Sequence, residues 1–304
     1  MTFEVSILGS SSATPIYQRH PTAQVLNIHE KLFLVDCGEG TLIQLNRYHI
    51  RFHRINHIFI SHLHGDHYLG LMGLLSTMHL QGRTDDLHLY SQPELKEMVD
   101  IQLLHSQTTL RYRIVYHFLD AKNAAKIYED EDLEVHTIIL SHRIPCTGFL
   151  FREKPKLRKL IREQLQHFNI PVSAYSDLKN GKDYVNENGN TISNFELTTD
   201  PRIPRAYAFC SDTIYDETLV PTLKNIDLLY HESTFLSDKA DRAKETFHST
   251  AAQAATIAKM AGVNRLIIGH FSARYKNLYP LLEEARAVFE NTSLATEGDK
   301  FSID

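Results

Sequence analysis

The sequence Ser61-His62-Leu63-His64-Gly65-Asp66-His67 decides the fold class, because it concentrates metal-binding side chains in one short segment. Imidazole and carboxylate groups together suit Zn²⁺ and, less selectively, Mn²⁺ or Fe²⁺. His62 and His64 are two positions apart, so an extended backbone points both rings to the same side. Gly65 permits a sharp turn that brings the last two ligands round to a second position. We therefore expect one loop to serve two metal ions.

Short apolar, β-branched runs elsewhere in the chain are also followed at once by a histidine or an acid. Runs of this length predict buried strands. Layered α/β folds gather functional side chains at the carboxyl ends of their strands. The predicted strand ends are Ser61-His62 after 58–60, Ser141-His142 after 137–140, Ser211-Asp212 after 206–210, His231-Glu232 after 226–230 and His270 after 266–269. We expect these residues to converge on one site.

Helices are predicted between the strands. Residues 249–261 are alanine-rich, Ser249-Thr250 supplies an N-cap, and Gly262 follows as a stop. Residues 280–290 and 69–79 also have helical patterns. Together with the strands they predict an α/β protein with one large domain.

The stretch from about 152 to 196 differs from the rest of the chain and is interpreted as an inserted arm. It opens with Lys154-Pro155-Lys156-Leu157-Arg158-Lys159 and continues into a predicted helix that ends at Phe168. Asn180-Gly181 and Asn188-Gly189 are turn dipeptides typical of hairpins. In a helix that starts after Pro155, Arg158, Lys159 and Arg162 would form a basic face for phosphate groups. An ordinary surface excursion with a solvated helix is the alternative.

Composition excludes several classes of protein. Hydrophobic residues make up 42% and charged residues 23% of the 304 residues, which is typical of a globular protein with a core. The net charge of −5 argues against non-specific gripping of nucleic acid over the whole surface, so any RNA contact requires local basic patches. Neither a signal peptide nor an apolar run of about 20 residues is found, so a cytoplasmic protein without a membrane segment is expected. The three cysteines predict buried fillers, because their number is odd and their spacing wide.

The segment 62–67 matches the HxHxDH signature of metallo-β-lactamase-fold hydrolases. This resemblance implies an αββα four-layer sandwich and places the remaining ligands at later strand ends. It implies one metal ion held by His62, His64 and His142, a second held by Asp66, His67 and His270, and a bridge at Asp212. Two Zn²⁺ per chain are expected, with Mn²⁺ or Fe²⁺ as substitutes.

A narrower resemblance, to the ribonuclease Z family, extends over nearly the whole chain. It is carried by the motifs Asp36-Cys37-Gly38-Glu39-Gly40-Thr41, Ser211-Asp212-Thr213, His231-Glu232-Ser233-Thr234-Phe235, His248-Ser249-Thr250-Ala251 and Gly269-His270-Phe271-Ser272-Ala273-Arg274-Tyr275. The family consists of endonucleases that remove the 3′ trailer of precursor tRNA and leave a 3′-hydroxyl on the tRNA. Its members carry a tRNA-gripping arm between two halves and are commonly homodimers. The family arm is often rich in glycine and proline, whereas residues 169–175 here are not.

The same resemblance implies roles for individual side chains. Asp66 would orient or deprotonate the attacking water, and His248, held by Glu232, would protonate the leaving oxygen. Arg274 could offer a bidentate fork to a phosphate and Ser272 a hydroxyl. The alternatives are that Glu232 and His248 have only a structural role, in capping and packing, and that Arg274 is an ordinary surface residue. A separate prediction is that Asp36 buttresses a turn or a ligand histidine and does not touch metal.

Two other functions remain open from the sequence. A phosphodiesterase, arylsulfatase-like enzyme or lactonase acting on a small molecule would use the same metals, since the fold does not fix the substrate. A non-catalytic nucleic-acid-binding subunit is the alternative of another class. The complete ligand set argues against the second, and the long arm argues against the first.

Overall fold

The computed structural model describes all residues from Met1 to Asp304. Two seven-stranded sheets form its centre. The first contains β1 (Phe3–Gly9), β2 (Ala23–Ile28), β3 (Lys31–Val35), β4 (Ile55–Phe59), β5 (Leu87–Ser91), β6 (Ile114–Phe118) and β18 (Lys300–Ser302). The second contains β7 (Lys126–Glu129), β8 (Leu133–Leu140), β9 (Cys146–Glu153), β14 (Ala206–Cys210), β15 (Leu228–Glu232), β16 (Arg265–Gly269) and β17 (Thr292–Leu294). The strand orders are β18-β1-β2-β3-β4-β5-β6 and β17-β16-β15-β14-β9-β8-β7.

Seven helices belong to the same part of the chain. They are α1 (Thr41–Arg47), α2 (Gly65–Tyr68), α3 (Leu71–Leu80), α4 (Glu94–His105), α8 (Ala240–Thr246), α9 (Ala251–Ala261) and α10 (Tyr279–Val288). Short 3₁₀ turns occur at Phe52–Arg54, Glu217–Leu219 and Ser237–Lys239.

Alternating side chains determine how these layers stack. Along the first sheet, Leu34 and Ile58 face the apolar side chains of α1, α3 and α4. Their neighbours Phe33 and Phe59 point the other way and contact Phe151 of the second sheet. Helices α9 and α10 pack on the second sheet through β15, β16 and β17. Because each strand alternates its side chains between two faces, this pattern gives four layers in the order α, β, β, α. The predicted fold class is confirmed.

Residues 152–205, with 131–133, form a second compact unit. It contains β10 (Lys159–Leu160), α5 (Arg162–His167), a 3₁₀ turn (Val172–Ala174), α6 (Tyr175–Lys179), β11 (Tyr184–Val185), β12 (Thr191–Ile192), α7 (Asn194–Leu197) and β13 (Thr198–Thr199). Its small core consists of Leu165, Ile170, Leu178 and Leu197. The arm predicted at 152–196 lies within this unit.

The predicted helix from Pro155 to Phe168 is wrong in its first half and confirmed in its second, from Arg162 to His167. Lys159 pairs with Thr199 in a two-stranded sheet, and the helix begins only at Arg162. The Arg158 guanidinium donates to Thr198 Oγ1 at 2.7 Å, pairs with Asp200 and lies over the Phe195 ring. These contacts within the unit hold residue 158 in extended chain, so Arg158 and Arg162 do not share a helical face.

Of the two asparagine–glycine dipeptides predicted as hairpin turns, only one lies in a hairpin. Asn188-Gly189 joins β11 to β12, as a hairpin turn should. Asn180-Gly181 instead ends α6, with Gly181 at a φ of 89°.

The remaining predicted elements agree with the structure to within a few residues. Thr250 caps α9 in a capping box with Gln253, and Gly262 ends it at a φ of 64°. The helix predicted at 69–79 is α3. At its start, a Cβ on Gly70 would lie 2.1 Å from the carbonyl oxygen of Gly38, so close packing against the 36–40 loop explains that glycine.

Candidate metal centre

The predicted strand ends do meet. The loops after β4, β8, β14 and β16 supply ligand-type side chains to one place, and β15 ends beside them. His64 has extended backbone, with φ −73° and ψ 144°, and α2 begins at the next residue. The extended part directs two imidazoles to one position, and the helical turn carries Asp66 and His67 to another.

The first position is surrounded by three imidazoles and one oxygen of Asp212. His64 Nδ1 lies 3.0 Å from His62 Nε2 and 3.2 Å from His142 Nε2. Asp212 Oδ2 lies 3.6 Å from His62 Nε2 and 3.7 Å from His142 Nε2. These separations place four donor atoms around one small volume.

The second position lies on the other side of the same carboxylate. Asp212 Oδ1 is 3.3 Å from His67 Nε2 and 3.2 Å from His270 Nε2. Asp66 Oδ2 is 3.5 Å and 3.4 Å from the same two nitrogens. Each oxygen of Asp212 therefore faces a different cluster, which is the arrangement required of a bridging ligand.

The far sides of three ligand rings, those of His67, His142 and His270, are each held by a partner. Asp36 Oδ2 lies 2.7 Å from His67 Nδ1, and it also accepts a hydrogen bond from the Ser61 hydroxyl. The Phe247 carbonyl oxygen lies 3.0 Å from His142 Nδ1, and the Thr234 hydroxyl lies 3.0 Å from His270 Nδ1. Such outer partners fix which ring nitrogen faces a metal. The buttressing role predicted for Asp36 agrees with this geometry.

His248 and Glu232 form a hydrogen-bonded pair beside the clusters. His248 Nδ1 lies 2.7 Å from Glu232 Oε1, which also accepts from the Thr213 amide. Glu232 is completely buried. Burial disfavours the charged imidazole, but the Glu232 carboxylate more than offsets this and raises the pKa of His248 to about 9. Because Glu232 holds Nδ1, Nε2 is the ring nitrogen left free to donate a proton.

The predicted phosphate-binding residues fall in two places. Ser272 is buried and accepts from the Arg274 amide, while the Arg274 guanidinium is exposed over the Phe235 ring. Within the second unit, Lys156 pairs with Asp132, and Lys159 and Arg162 make no side-chain ion pair. The described geometry does not unite the basic residues of that unit, Lys154, Lys156, Arg158, Lys159 and Arg162, on one helix.

Sequence reasoning missed several supporting residues. Phe247 orients His142 through its main chain and has a positive φ of 59°, which an aromatic residue rarely adopts. A main-chain contact has no residue signature, so the sequence could not reveal it. Thr234 holds both Glu232 and His270, and its position within the His231–Phe235 motif was the available indication. His231 itself is buried away from the clusters, with Nδ1 at 2.8 Å from the Glu232 carbonyl oxygen.

The donor set suits two divalent cations. His67 Nε2 is buried and makes no hydrogen bond, although it faces two carboxylates. A buried polar atom without a hydrogen bond is costly unless a ligand satisfies it. Five imidazoles and two carboxylates arranged as two clusters around Asp212 are consistent with a dinuclear site.

The fold and this site define the chain as a metal-dependent hydrolase of the metallo-β-lactamase fold. Its structure is similar to that of the metallo-β-lactamase fold protein YhfI from Bacillus subtilis, with a TM-score of 0.69, 17% identity and coverage of 99% and 100% of the two chains. A sequence model of the family described as "Anti-Pycsar protein Apyc1" matches residues 3–155, the half that contains the HxHxDH segment.

Matches over the whole chain are to ribonuclease Z. The ribonuclease Z of Bacteroides fragilis is 50% identical over 295 residues, which is 97% of each chain. The human tRNase Z, short form, is 29% identical, with a TM-score of 0.73 and coverage of 99% of both chains. The chain belongs to the ribonuclease Z family.

No helix of this structure has the length and apolar character needed to cross a membrane.

Proposed function

We propose that this protein removes the 3′ trailer from precursor tRNA by hydrolysing one phosphodiester bond, and leaves a 3′-hydroxyl on the tRNA. The observation that carries the proposal is the Glu232–His248 pair beside a double ligand cluster that Asp212 bridges. A proton donor next to such a cluster suits a poor leaving group, such as a ribose 3′-oxygen, which needs protonation as it departs.

The proposed ligands of one metal ion are His62, His64 and His142, and those of the other are Asp66, His67 and His270, with Asp212 shared. Zn²⁺ is the proposed metal, and the same donors accept Mn²⁺ or Fe²⁺. When bound, two divalent cations supply Lewis-acid activation of water and of the phosphodiester.

The chain's own groups complete the reaction. Asp66 Oδ2 accepts a hydrogen bond from the Ala13 amide at 2.7 Å, which fixes the carboxylate that orients the attacking water. His248 donates its Nε2 proton to the leaving 3′-oxygen while Glu232 holds Nδ1. Arg274 has no carboxylate partner, so its guanidinium is free to contact a phosphate, and Ser272 shapes the turn that presents it.

The proposed partner is precursor tRNA, gripped in part by the second unit. Lys159 and Arg162 are the main proposed contacts there to the sugar–phosphate backbone, and Lys154 is a further one. Arg158 and Lys156 have intramolecular acidic partners, so their proposed contribution is smaller. Since precursor tRNA is made in the cytoplasm of bacteria, that is the proposed location.

A homodimer is also proposed. Helix α4 exposes Met98, Ile101 and Leu104, which recur every three residues and are 43%, 49% and 71% exposed. An apolar stripe of this kind is typical of a surface that a partner covers. Light scattering should give the mass of a dimer, and Leu104→Glu should give that of a monomer. A monomeric parent protein would refute this part.

Two substrates test the proposed function. The protein should cleave a precursor tRNA with a kcat/KM far above that for bis-p-nitrophenyl phosphate, because remote binding energy is available only from the large substrate. Sequencing of the product ends should place the cut at the start of the trailer. Efficient hydrolysis of the small ester without cleavage of precursor tRNA would favour a small-molecule phosphodiesterase.

A further inference from the structure

A hollow of about 320 Å³ adjoins His248 and is not used by any residue role described so far. Its lining includes Tyr215, Asp241, Lys244 and Gln253. Its volume is at the lower end of the range for small-molecule sites, which suits one nucleoside unit.

The chemistry of cleavage determines which side of the substrate lies there. When the product keeps a 3′-hydroxyl, the bond from phosphorus to the 3′-oxygen breaks, water supplies the new oxygen on phosphorus, and the 3′-oxygen takes a proton. His248 is the proposed source of that proton. The ribose that bears the 3′-oxygen must then lie against His248, and its base and 5′-phosphate lie within reach of the hollow.

The lining has the groups that a single-stranded nucleotide requires. Tyr215 is half-buried and lines the hollow, and its hydroxyl donates to Glu217 Oε1 at 2.9 Å, which fixes the ring there. Lys244 is exposed and has no ion-pair partner, although Asp241 is one helical turn away. Proteins bind unpaired nucleotides by stacking bases on aromatic rings and by placing cations on phosphates.

The two sides of the hollow are rigidly placed. The Ile214 amide donates to the Ser141 carbonyl at 3.0 Å, which ties Tyr215 to the loop that carries a metal ligand. Asp216 accepts from the Thr218 amide and caps the following 3₁₀ turn. The His248 amide donates to the Ala243 carbonyl at 2.8 Å and fixes the histidine against the helix of Lys244.

We propose that this hollow is the subsite for the last nucleotide of the mature RNA, immediately 5′ of the cleaved bond, with Tyr215 stacking on its base and Lys244 contacting its 5′-phosphate. The inference rests on the proposed function, since it takes the direction of cleavage from it. No motif quoted from the sequence above includes either residue.

The test pairs a protein change with a substrate change. Tyr215→Leu removes the ring, and a precursor tRNA with an abasic last nucleotide removes its stacking partner. Tyr215→Leu should lower kcat/KM on intact substrate by about 10- to 100-fold, since stacking is worth about 1–3 kcal/mol per base. On the abasic substrate Tyr215→Leu should lower kcat/KM only slightly further. Tyr215→Phe should have the same kcat/KM as the parent on both substrates. Equal losses from Tyr215→Leu on both substrates, or none, would overturn the stacking role.

Lys244→Gln tests the phosphate contact. It should reduce the slope of log KM against log salt concentration by about one unit. Lys239→Gln, at an exposed lysine outside the hollow, is the matched control and should leave the slope at the parent value. An unchanged slope for Lys244→Gln would overturn the contact. If the parent does not cleave precursor tRNA at all, the proposed function fails, whereas a cleaving parent with insensitive variants refutes only the subsite.

Discussion

At the scale of single residues, the outer partners of the proposed metal ligands are expected to control metal affinity. In Asp36→Asn the side chain keeps its size but presents an N–H toward His67 Nδ1, which needs an acceptor. Metal affinity should fall by about 10- to 100-fold, the usual cost of losing such a partner. The chelator concentration that removes half of the bound metal measures this.

Asp227→Asn is the matched control. The Asp227 carboxylate accepts hydrogen bonds from the Ala206 main-chain amide and the Asn264 side-chain amide, and it belongs to neither ligand cluster. Equal chelator sensitivity of the two variants would contradict a role for Asp36 in metal binding.

The proton donor is the second prediction at this scale. His248→Ala should lower the turnover of precursor tRNA by about 10²- to 10⁴-fold with metal content retained. Bis-p-nitrophenyl phosphate has a good leaving group and should be affected less. Comparable losses on both substrates would point to a collapsed site and against general-acid catalysis by this histidine.

Much of the site could be predicted at this scale because metal chemistry restricts residue types. His62 and Asp212 were recognisable from their positions after apolar runs, and the structure brings them together. Phe247 was not recognisable, because its carbonyl oxygen and not its side chain contacts His142. The role proposed for Tyr215 had no sequence signal either, since a lone tyrosine in a loop has no pattern.

At the scale of elements, strands β4, β5 and β6 carry a stack of histidines that is separate from the metal centre. His57 stacks on His88 at a centroid distance of 4.9 Å, and His88 Nδ1 lies 2.9 Å from His117 Nε2. Burial, reinforced by these two imidazoles and by Lys31 and opposed by Asp130, lowers the pKa of His57 to about 3. His57 is therefore neutral in the folded protein.

This stack predicts a loss of stability in mild acid. The unfolded chain protonates His57 near pH 6.5, whereas the folded chain resists protonation until about pH 3. The stabilising contribution is thus present above pH 6.5 and is lost as the pH falls toward 3. His57→Phe keeps an aromatic ring and removes the proton site. Between pH 7.5 and 5.5, the free energy of unfolding of this variant should therefore fall less than that of the parent.

Urea denaturation at the two pH values measures the effect, with His105→Phe as the control at an exposed histidine. If His57→Phe and His105→Phe depend on pH in the same way, the histidine stack does not contribute to acid sensitivity.

Elements defined by local sequence were predictable, and those defined by long-range pairing were not. Helix α9 has its cap, its alanines and its terminal glycine within 13 residues, from Thr250 to Gly262. Strand β10 is only two residues long and exists because Lys159 and Leu160 pair with residues almost 40 positions later. The four-residue spacing of Arg158 and Arg162 therefore predicted a shared helix that the strand pairing excludes.

At the scale of the whole molecule, the second unit is expected to serve the large substrate only. Glu153 and Arg205 close its base, where the Arg205 guanidinium donates to both carboxylate oxygens of Glu153, at 2.9 Å and 2.7 Å. Replacing residues 156–202 by a short Gly-Ser linker retains this buried pair. KM for precursor tRNA should rise severely, while bis-p-nitrophenyl phosphate is still hydrolysed.

A matched variant with Lys159→Gln and Arg162→Gln keeps the unit and removes two of the proposed contacts. It should weaken tRNA binding and reduce its salt dependence. A linker variant that processes precursor tRNA at the parent efficiency would contradict an RNA-gripping role for this unit.

The central claim is that Asp212 bridges two metal ions held by the surrounding ligands. The most direct test is the metal-to-chain ratio of gently purified, active protein, measured by mass spectrometry. The predicted ratio is close to two, falling sharply in Asp212→Ala because both clusters lose a ligand. A reproducible ratio near zero in fully active protein would contradict the claim.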